Sequence, residues 1–262
     1  MKPRPLAIAF TALFASTSLF AETKPAAAPA APAPAKPAAP KLPPQPPDVA
    51  APKLGPDGQP NAGFIKSHEN FVATAKKGEA KLVFLGDSIT AGWGGNGKEV
   101  WAKAFGEYKP ANFGIGGDRT QHVLWRIENG ELEGIKPKAA VIMIGTNNSG
   151  SDPADGIAKG VTKIVQTVRT KTPDTKILLL AVFPRGEKPQ GNAQRDKLKE
   201  VNAIIAKLDD GKHVFFLDIG SKFLEADGSL TKEIMPDFLH LSPKGYQIWA
   251  DAISPKLKEL MK

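Results

Sequence analysis

Residues 61–262 alternate short apolar runs with segments of helical periodicity, and this alternation limits the fold class. A short apolar run bounded by turn residues is typical of a strand that is buried on both faces. The predicted strands are Lys81–Leu85, Ala111–Phe113, Ala139–Ile144, Lys176–Phe183 and His213–Leu217. The predicted helices are Phe64–Lys77, Lys98–Phe105, Thr120–Asn129, Pro153–Thr172, Asn192–Leu208 and Pro243–Met261. The pattern predicts an α/β fold, a three-layer α/β/α sandwich around a central, mostly parallel five-stranded sheet.

The first 21 residues have the pattern of a secretory signal peptide. Lys2 and Arg4 form a basic start, Leu6–Ala15 is apolar, and small residues lead to Ala21. The apolar stretch is shorter than the roughly 20 residues that a membrane-spanning helix needs. We therefore expect an exported protein, periplasmic or extracellular, with no integral membrane segment after signal cleavage.

Residues 22–60 hold 13 of the 24 prolines, and alanine fills most of the gaps between them. Proline fixes φ and has no N–H to donate, so this composition predicts an extended, disordered linker. The linker is either a semi-rigid spacer or a leader without a partner, and composition does not decide between them.

Charge and cysteine content exclude several classes of function. The chain has 35 Lys and Arg against 27 Asp and Glu, a net charge of +8, without a run of basic residues. We therefore expect no nucleic-acid partner. The absence of cysteine excludes disulfides, thiolate metal ligands and cysteine nucleophiles, so the chemistry must use oxygen and nitrogen.

Polar residues follow three predicted strands, at the edge of the sheet where parallel folds bind ligands. Ser88 comes directly after the first strand, where it is either a nucleophile or a helix N-cap. The segment Asn112–Asp118 contains three glycines, whose backbone can approach an anion or form a plain turn. Asn147 follows the third strand and either points an amide into the cleft or closes an Asx-turn.

A histidine and an aspartate precede the last predicted helix. Ser242-Pro243 has the pattern of an N-cap and first helical position, which places His240 in the loop before it. Asp237 lies three residues earlier and can accept a hydrogen bond from the imidazole, as the third member of a catalytic triad does. The remaining histidines are expected to be structural: His68, His122 and His213.

Two further classes of protein are disfavoured by their sequence motifs, one of which is incomplete here and the other absent. Gly92–Lys98 has the spacing of a phosphate-binding loop, but Glu99 stands where a Ser or Thr would bind magnesium, so we expect no nucleotide binding. The residues around Ser88 also lack the Gly-x-Ser-x-Gly turn of ordinary α/β-hydrolases.

Together these blocks resemble the SGNH or GDSL hydrolase family, whose motifs begin with Gly-Asp-Ser, Gly, Gly-x-Asn and Asp-x-x-His. The match covers nearly all of residues 80–262. Longer stretches are similar to the catalytic subunits of intracellular platelet-activating factor acetylhydrolase: Asn112–Asp118, Gln121–Arg126, Asn129–Leu132, Ile135–Lys138, Pro184–Pro189 and Asp237–Leu241. The resemblance implies a flavodoxin-like fold and an esterase that needs no cofactor and no metal.

The resemblance also implies a role for each matching residue. The catalytic residues would be Ser88 as nucleophile, His240 as base and Asp237 as its orienter. The oxyanion hole would consist of the backbone N–H groups of Ser88 and Gly117 and the side-chain amide of Asn147. A short acyl pocket is expected near Ile89, Thr146 and Leu239, and Trp93 either stacks on a sugar or covers the core.

These inferences predict a secreted serine esterase that hydrolyses short-chain, acetyl esters through an acyl-enzyme. Export favours an acetylated carbohydrate or a related small ester as substrate. A lysophospholipase- or thioesterase-like lipid hydrolase and a noncatalytic carbohydrate-binding domain are the alternatives. Because the related animal subunits pair, the resemblance admits a homodimer, although the sequence shows no interface.

Overall fold

Five short parallel strands form the centre of the structure. The computed structural model describes Met1 and residues 44–262, so the predicted signal peptide and residues 22–43 of the predicted linker lie outside the described residues. The strands are β1 (Leu82–Gly86), β2 (Pro110–Gly114), β3 (Ala139–Met143), β4 (Lys176–Leu180) and β5 (Val214–Leu217). Their order in the sheet is β2-β1-β3-β4-β5. Every pair is parallel, so the predicted α/β sheet is confirmed.

Seven α-helices accompany the sheet in the described residues. They are α1 (Ala62–Lys76), α2 (Ser88–Ala91), α3 (Lys98–Phe105), α4 (Thr120–Arg126), α5 (Ala154–Lys171), α6 (Ala193–Ile205) and α7 (Pro243–Leu260). Helices α4, α5 and α6 contact one another in succession, and α3 packs against α7. Because β1 and β3 are buried along their whole length, both faces of the sheet are covered, as continuous apolar strands require. None of the helices within residues 44–262 is both long and apolar enough to cross a bilayer.

Several observed boundaries differ from the predicted ones, and the fourth strand, predicted to reach Phe183, ends at Leu180. Helix α1 begins at Ala62, because the side chain of Asn61 accepts a hydrogen bond from the backbone N–H of Phe64 and caps the helix. The helix predicted to continue to Asn129 ends at Arg126, and an irregular turn with Gly130 at φ +101° follows. Helix α2 was not predicted, since four residues are too few for a helical period to show.

An aromatic cluster fills the space between β1, α3 and α7. The ring of Phe84 lies 4.8 Å from that of Trp101, and the ring of Trp93 lies 4.6 Å from Tyr246 and 4.9 Å from Trp249. Trp93 is 1% exposed. Of the two expectations for Trp93, stacking on a sugar in the substrate pocket or covering the core, the structure supports the second, because its faces are covered by other aromatic side chains.

The prediction of a disordered linker is wrong for residues 44–60, which pack against α4. The backbone N–H of Ala51 donates to the Gln121 carbonyl, and the Gln121 side-chain amide donates to the Gln45 carbonyl. The Thr120 hydroxyl donates to the Pro47 carbonyl at 2.7 Å. Prolines lack a donor but keep an acceptor, so a proline-rich segment can dock through its carbonyl groups.

The docking of this segment predicts opposite effects for two glycines of α5. A Cβ at Gly160 would lie 2.4 Å from the Pro47 carbonyl oxygen and 2.5 Å from Thr120 Oγ1, whereas a Cβ at Gly156 would meet nothing closer than 3.4 Å. We expect Gly160→Ala to lower the free energy of unfolding by about 1–3 kcal/mol through overpacking. Gly156→Ala should raise it by about 0.5–1 kcal/mol, the ordinary helix preference. Urea denaturation of both variants measures the difference, and two equally stable variants would contradict the docked arrangement.

Candidate active site

Ser88 is the first residue of α2 and stands directly beyond the end of β1. Asp87 caps this helix, since its carboxylate accepts a hydrogen bond from the backbone N–H of Ile89 at 2.9 Å. The end of β2 passes so close that a Cβ on Gly114 would lie 2.3 Å from the backbone nitrogen of Ala91. Only glycine fits there, and this close approach brings the loop after β2 beside the serine.

His240 reaches the serine from the loop before α7. Its Nε2 lies 2.8 Å from the Ser88 hydroxyl oxygen, and its Nδ1 lies 2.6 Å from a carboxylate oxygen of Asp237. The Tyr246 hydroxyl, on α7, donates to the Ile89 carbonyl at 2.7 Å and so joins α7 to α2. The structure therefore brings together the serine, histidine and aspartate that the sequence predicted as a triad, in the order that proton transfer requires.

A tight turn fixes the relation between His240 and Asp237. The other carboxylate oxygen of Asp237 accepts the backbone N–H groups of Leu239 at 3.1 Å and His240 at 2.7 Å. Phe238, between them, has φ +57°, a left-handed conformation that is costly for a bulky side chain. The hydrogen bonds compensate for this strain, and they hold the carboxylate against the imidazole.

The electrostatics of the turn keep Asp237 ionised. Partial burial acts to raise the pKa of Asp237, but hydrogen bonds from the ring and backbone of His240 outweigh it and lower this pKa below its ordinary value. A charged Asp237 stabilises the imidazolium that forms when His240 takes a proton from Ser88.

The loop that carries Gly117, one predicted oxyanion donor, passes beside the serine, and the Asn147 side chain contacts the same loop. A Cβ on Gly116 would be 4.0 Å from Ser88 Cβ, so the loop Ile115–Asp118 passes beside the hydroxyl. The Asn147 amide donates one hydrogen to the Asp118 carbonyl at 2.8 Å and has a second hydrogen to offer. Among the residues that the structure describes, no group accepts the backbone N–H of Ser88 or Gly117. These N–H groups are available to an anion.

The predicted acyl pocket residues differ in exposure. Ile89 and Thr146 are each 1% exposed, so they belong to the packed wall beneath the site. Leu239 is half-buried beside His240 and packs against the core.

Arg185 was missed as a site residue. Its guanidinium donates to the carbonyl and hydroxyl of Thr146 at 3.0 and 3.1 Å. It is half-buried, and burial lowers its pKa, while the charges of Asp87 and Asp237 act in the opposite direction. The signal was present in the sequence, because Arg185 follows the fourth predicted strand and so lies at the same edge of the sheet as Ser88.

A buried ionic network lies beneath the site. Arg126 is fully buried and donates to Asp118 Oδ2 at 3.0 Å, to the Phe113 carbonyl at 3.0 Å and to Glu131. Its guanidinium also reaches the Gly86 carbonyl at 3.3 Å. One cation thus holds together the carboxyl ends of β1 and β2. The first end leads to Ser88, and the second leads to residues Ile115–Asp118, the glycine loop.

Two of the other histidines, His68 and His122, are buried and held by hydrogen bonds. His122 Nδ1 accepts the backbone N–H of Arg119 at 3.1 Å, and burial with the nearby charges of Lys53 and Arg119 lowers the pKa of His122 to about 3. His68 is buried against the Trp125 ring and contacts the Asn129 carbonyl. Within residues 44–262, no three His, Asp or Glu side chains are grouped as metal ligands would be.

A cavity of about 540 Å³ has Gly117, a predicted oxyanion donor, in its lining. Its lining includes Pro46, Lys53, Leu54, Arg119 and Asp152, so the docked segment 44–60 forms one of its walls. The mixture of apolar and charged side chains suits a polar molecule with an apolar face.

The comparisons with known proteins decide the family. Residues 84–248 match the model of the GDSL-like lipase/acylhydrolase family. The chain belongs to this family. It is also 39% identical over 206 residues to human platelet-activating factor acetylhydrolase IB subunit alpha1, across 78% of this chain and 87% of the human one. The protein is therefore a carboxylic ester hydrolase.

Two solved structures share the fold. A GDSL-like lipase from Bacteroides thetaiotaomicron is 19% identical, with a TM-score of 0.58 over 73% of this chain and 97% of its own. The carbohydrate acetylesterase Est24 from Sinorhizobium meliloti is 22% identical, with a TM-score of 0.53 over 69% of this chain and 99% of its own. Both confirm the expected SGNH-type architecture.

The burial of Asp87 predicts a pH-dependent stability. Burial raises the pKa of Asp87 to about 7, although the hydrogen bond from Ile89 and the charges of His240 and Arg185 act in the opposite direction. The pKa of this carboxyl in the unfolded chain is 3.8, so the folded state binds the Asp87 proton more tightly than the unfolded state does. The free energy of unfolding therefore falls as the pH rises from about 4 to about 7. Relative to Asp87→Asn, which keeps the capping oxygen, the wild type should lose stability on the order of 1 kcal/mol per pH unit in that range.

Urea unfolding at pH 5, 6, 7 and 8 measures this difference. The exposed carboxylate of α5 provides the control variant Asp155→Asn, which should follow the wild type at every pH. If the free energies of unfolding of wild type and Asp87→Asn change with pH in parallel, the pKa of the Asp87 carboxyl is not raised in the folded protein.

Proposed function

We propose that this protein is an exported serine esterase that removes short acyl groups, acetyl above all, from an acetylated carbohydrate or a related small ester. The proposal is carried by the chain of hydrogen bonds from Ser88 through His240 to Asp237. Triads of this kind activate a hydroxyl for attack on a carbonyl carbon.

The reaction follows from the positions of these groups. The Ser88 oxygen attacks the ester carbonyl carbon while its proton passes to His240 Nε2, and the carbonyl oxygen becomes an oxyanion beside Ser88 N–H, Gly117 N–H and Asn147. Collapse of this intermediate releases the alcohol, which takes the proton from His240. Water then attacks the acyl-enzyme, His240 accepts its proton, and Ser88 regains that proton as the acid leaves.

The size of the acyl group is inferred from the wall of the site. Ile89 and Thr146 are fully packed, and Leu239, which precedes His240 in the sequence, is half-buried against the core. Such a wall suits a short acyl chain. Two similar proteins, an acetylhydrolase and a carbohydrate acetylesterase, favour acetyl as that chain.

The alcohol is assigned to the cavity that has Gly117 in its lining. Arg119 and Asp152 offer hydrogen-bonding groups there, and Pro46 and Leu54 offer apolar contact. A sugar ring presents hydroxyls and an apolar face, so it matches this lining. Export rests on the signal-peptide pattern of residues 1–21, and it makes envelope or extracellular polysaccharide an accessible source of such esters.

Hydrolysis of p-nitrophenyl acetate, butyrate and decanoate tests the acyl preference. We expect kcat/KM to fall from acetate to decanoate, as the proposed short acyl pocket requires. Ser88→Ala should reduce cleavage of every ester by at least about 10⁴-fold, since the nucleophile is lost. Preferential cleavage of decanoate would favour a lipid hydrolase, and unchanged cleavage by Ser88→Ala would refute the serine mechanism.

Replacement of Asn147 tests the oxyanion site. We expect Asn147→Ala to lower kcat about 10²–10³-fold, which is the usual cost of one lost oxyanion donor, with a smaller effect on KM. Asn70→Ala, on the exposed surface of α1, is the matched control and should retain the wild-type kcat. If Asn147→Ala raises KM and leaves kcat intact, the amide binds substrate without stabilising the oxyanion.

A further inference from the structure

Lys53, in the docked segment 44–60, reaches the glycine loop beside the catalytic serine. Its ammonium donates a hydrogen bond to the Gly116 carbonyl at 2.6 Å and lies 2.8 Å from Asp118 Oδ1. The Lys53 side chain is 20% exposed and that of Asp118 is fully buried. The contact is therefore a partly desolvated, charge-assisted one, which is stronger than an exposed ion pair.

The Gly116–Gly117 peptide has few other restraints. The turn is closed on one side by the Asp118 N–H, which donates to the Ile115 carbonyl, and Arg126 holds the Asp118 carboxylate from below. Within residues 44–262, Lys53 is the only group that donates to the Gly116 carbonyl. Two successive glycines, the second at φ +72°, can reorient the peptide plane between them at little steric cost.

The peptide plane links this carbonyl to the candidate oxyanion donor. In a planar trans peptide, the carbonyl of one residue and the N–H of the next point in opposite directions. A hydrogen bond that holds the Gly116 carbonyl toward Lys53 therefore directs the Gly117 N–H to the opposite side. If the plane turned over, the carbonyl oxygen would take the place of the N–H.

We propose that Lys53 is a positioning residue, which fixes the orientation of the Gly116–Gly117 peptide so that the Gly117 N–H faces the oxyanion. This inference rests on the proposed role of Gly117 in ester hydrolysis. Lys53 contacts neither the Ser88 hydroxyl nor the His240 ring; it acts through the peptide that it holds. The segment 44–60 is accordingly part of the catalytic unit.

Replacement of Lys53 in the full-length chain tests the proposal with p-nitrophenyl acetate as substrate. We expect Lys53→Met to lower kcat roughly 10- to 10³-fold. A Gly117 N–H that no longer faces the oxyanion loses part or all of its stabilisation of the transition state. KM should change less than about threefold, since the small ester does not need the ammonium for binding. Lys53→Arg keeps a cationic donor and should recover most of kcat. Lys159→Met, an exposed lysine of α5, controls for loss of surface charge and should match the wild type.

Amide hydrogen exchange of Asp118, whose N–H donates to the Ile115 carbonyl and closes the turn, provides a second readout that does not depend on ester cleavage. Exchange should accelerate in Lys53→Met and return toward the wild-type rate in Lys53→Arg. If Lys53→Met does not fold, as judged by urea denaturation, Lys53→Gln takes its place in both measurements.

The possible outcomes separate this proposal from the esterase proposal. An unchanged kcat in Lys53→Met, beside an inactive Ser88→Ala, overturns the role of Lys53 and leaves the serine mechanism standing. A loss of kcat that Lys53→Arg does not recover also overturns it. If Ser88→Ala keeps full activity, the serine mechanism fails, and amide exchange alone decides whether Lys53 holds the loop.

Discussion

The buried guanidinium of Arg126 is the interaction on which the active site depends. It holds two carboxylates and the carbonyl groups at the ends of β1 and β2, so the strand that delivers the serine and the strand that delivers the glycine loop share one anchor. A buried charge of this kind is tolerated because its donors are satisfied, and removal of one partner would leave others unpaired in the interior. The hydrogen bonds and ion pairs offset the free-energy cost of removing these charges from water, and they fix the positions of the two strand ends.

The glycine loop lies between two cations of different origin. Arg126 holds Asp118 from below the sheet edge, and Lys53 holds Gly116 and Asp118 from the outer side. The first cation belongs to α4 and the second to a segment that precedes α1. The loop beside Ser88 is therefore held by groups from the sheet domain and from the docked segment. Each supplies a cationic side chain that donates to backbone carbonyls of β2 or of the glycine loop.

Much of this architecture was predictable from the sequence, because the strands are buried on both faces and appear as uninterrupted apolar runs. The positions of Ser88, Asn147 and His240 followed from the rule that parallel strands deliver loops to one edge. Other features were not predictable. Trp93 stands in a glycine-rich stretch with no helical period, so the sequence does not show that it faces the core. The docking of residues 44–60 depends on backbone carbonyl groups and on single side chains such as Gln45, which contacts His122, and Lys53, and a proline-rich composition does not reveal these contacts.

Only one hydrogen bond of the triad, that between Ser88 and His240, joins residues that are far apart in the sequence. Asp237 and His240 are fixed to each other within one turn, whereas Ser88 lies 152 residues away from His240 in the sequence. During synthesis the nucleophile and the glycine loop therefore emerge long before the base does. Until the turn before α7 has reached its place against α2, the serine has no partner to accept its proton, and the growing chain can complete its sheet without acquiring the reactive hydroxyl of the finished protein.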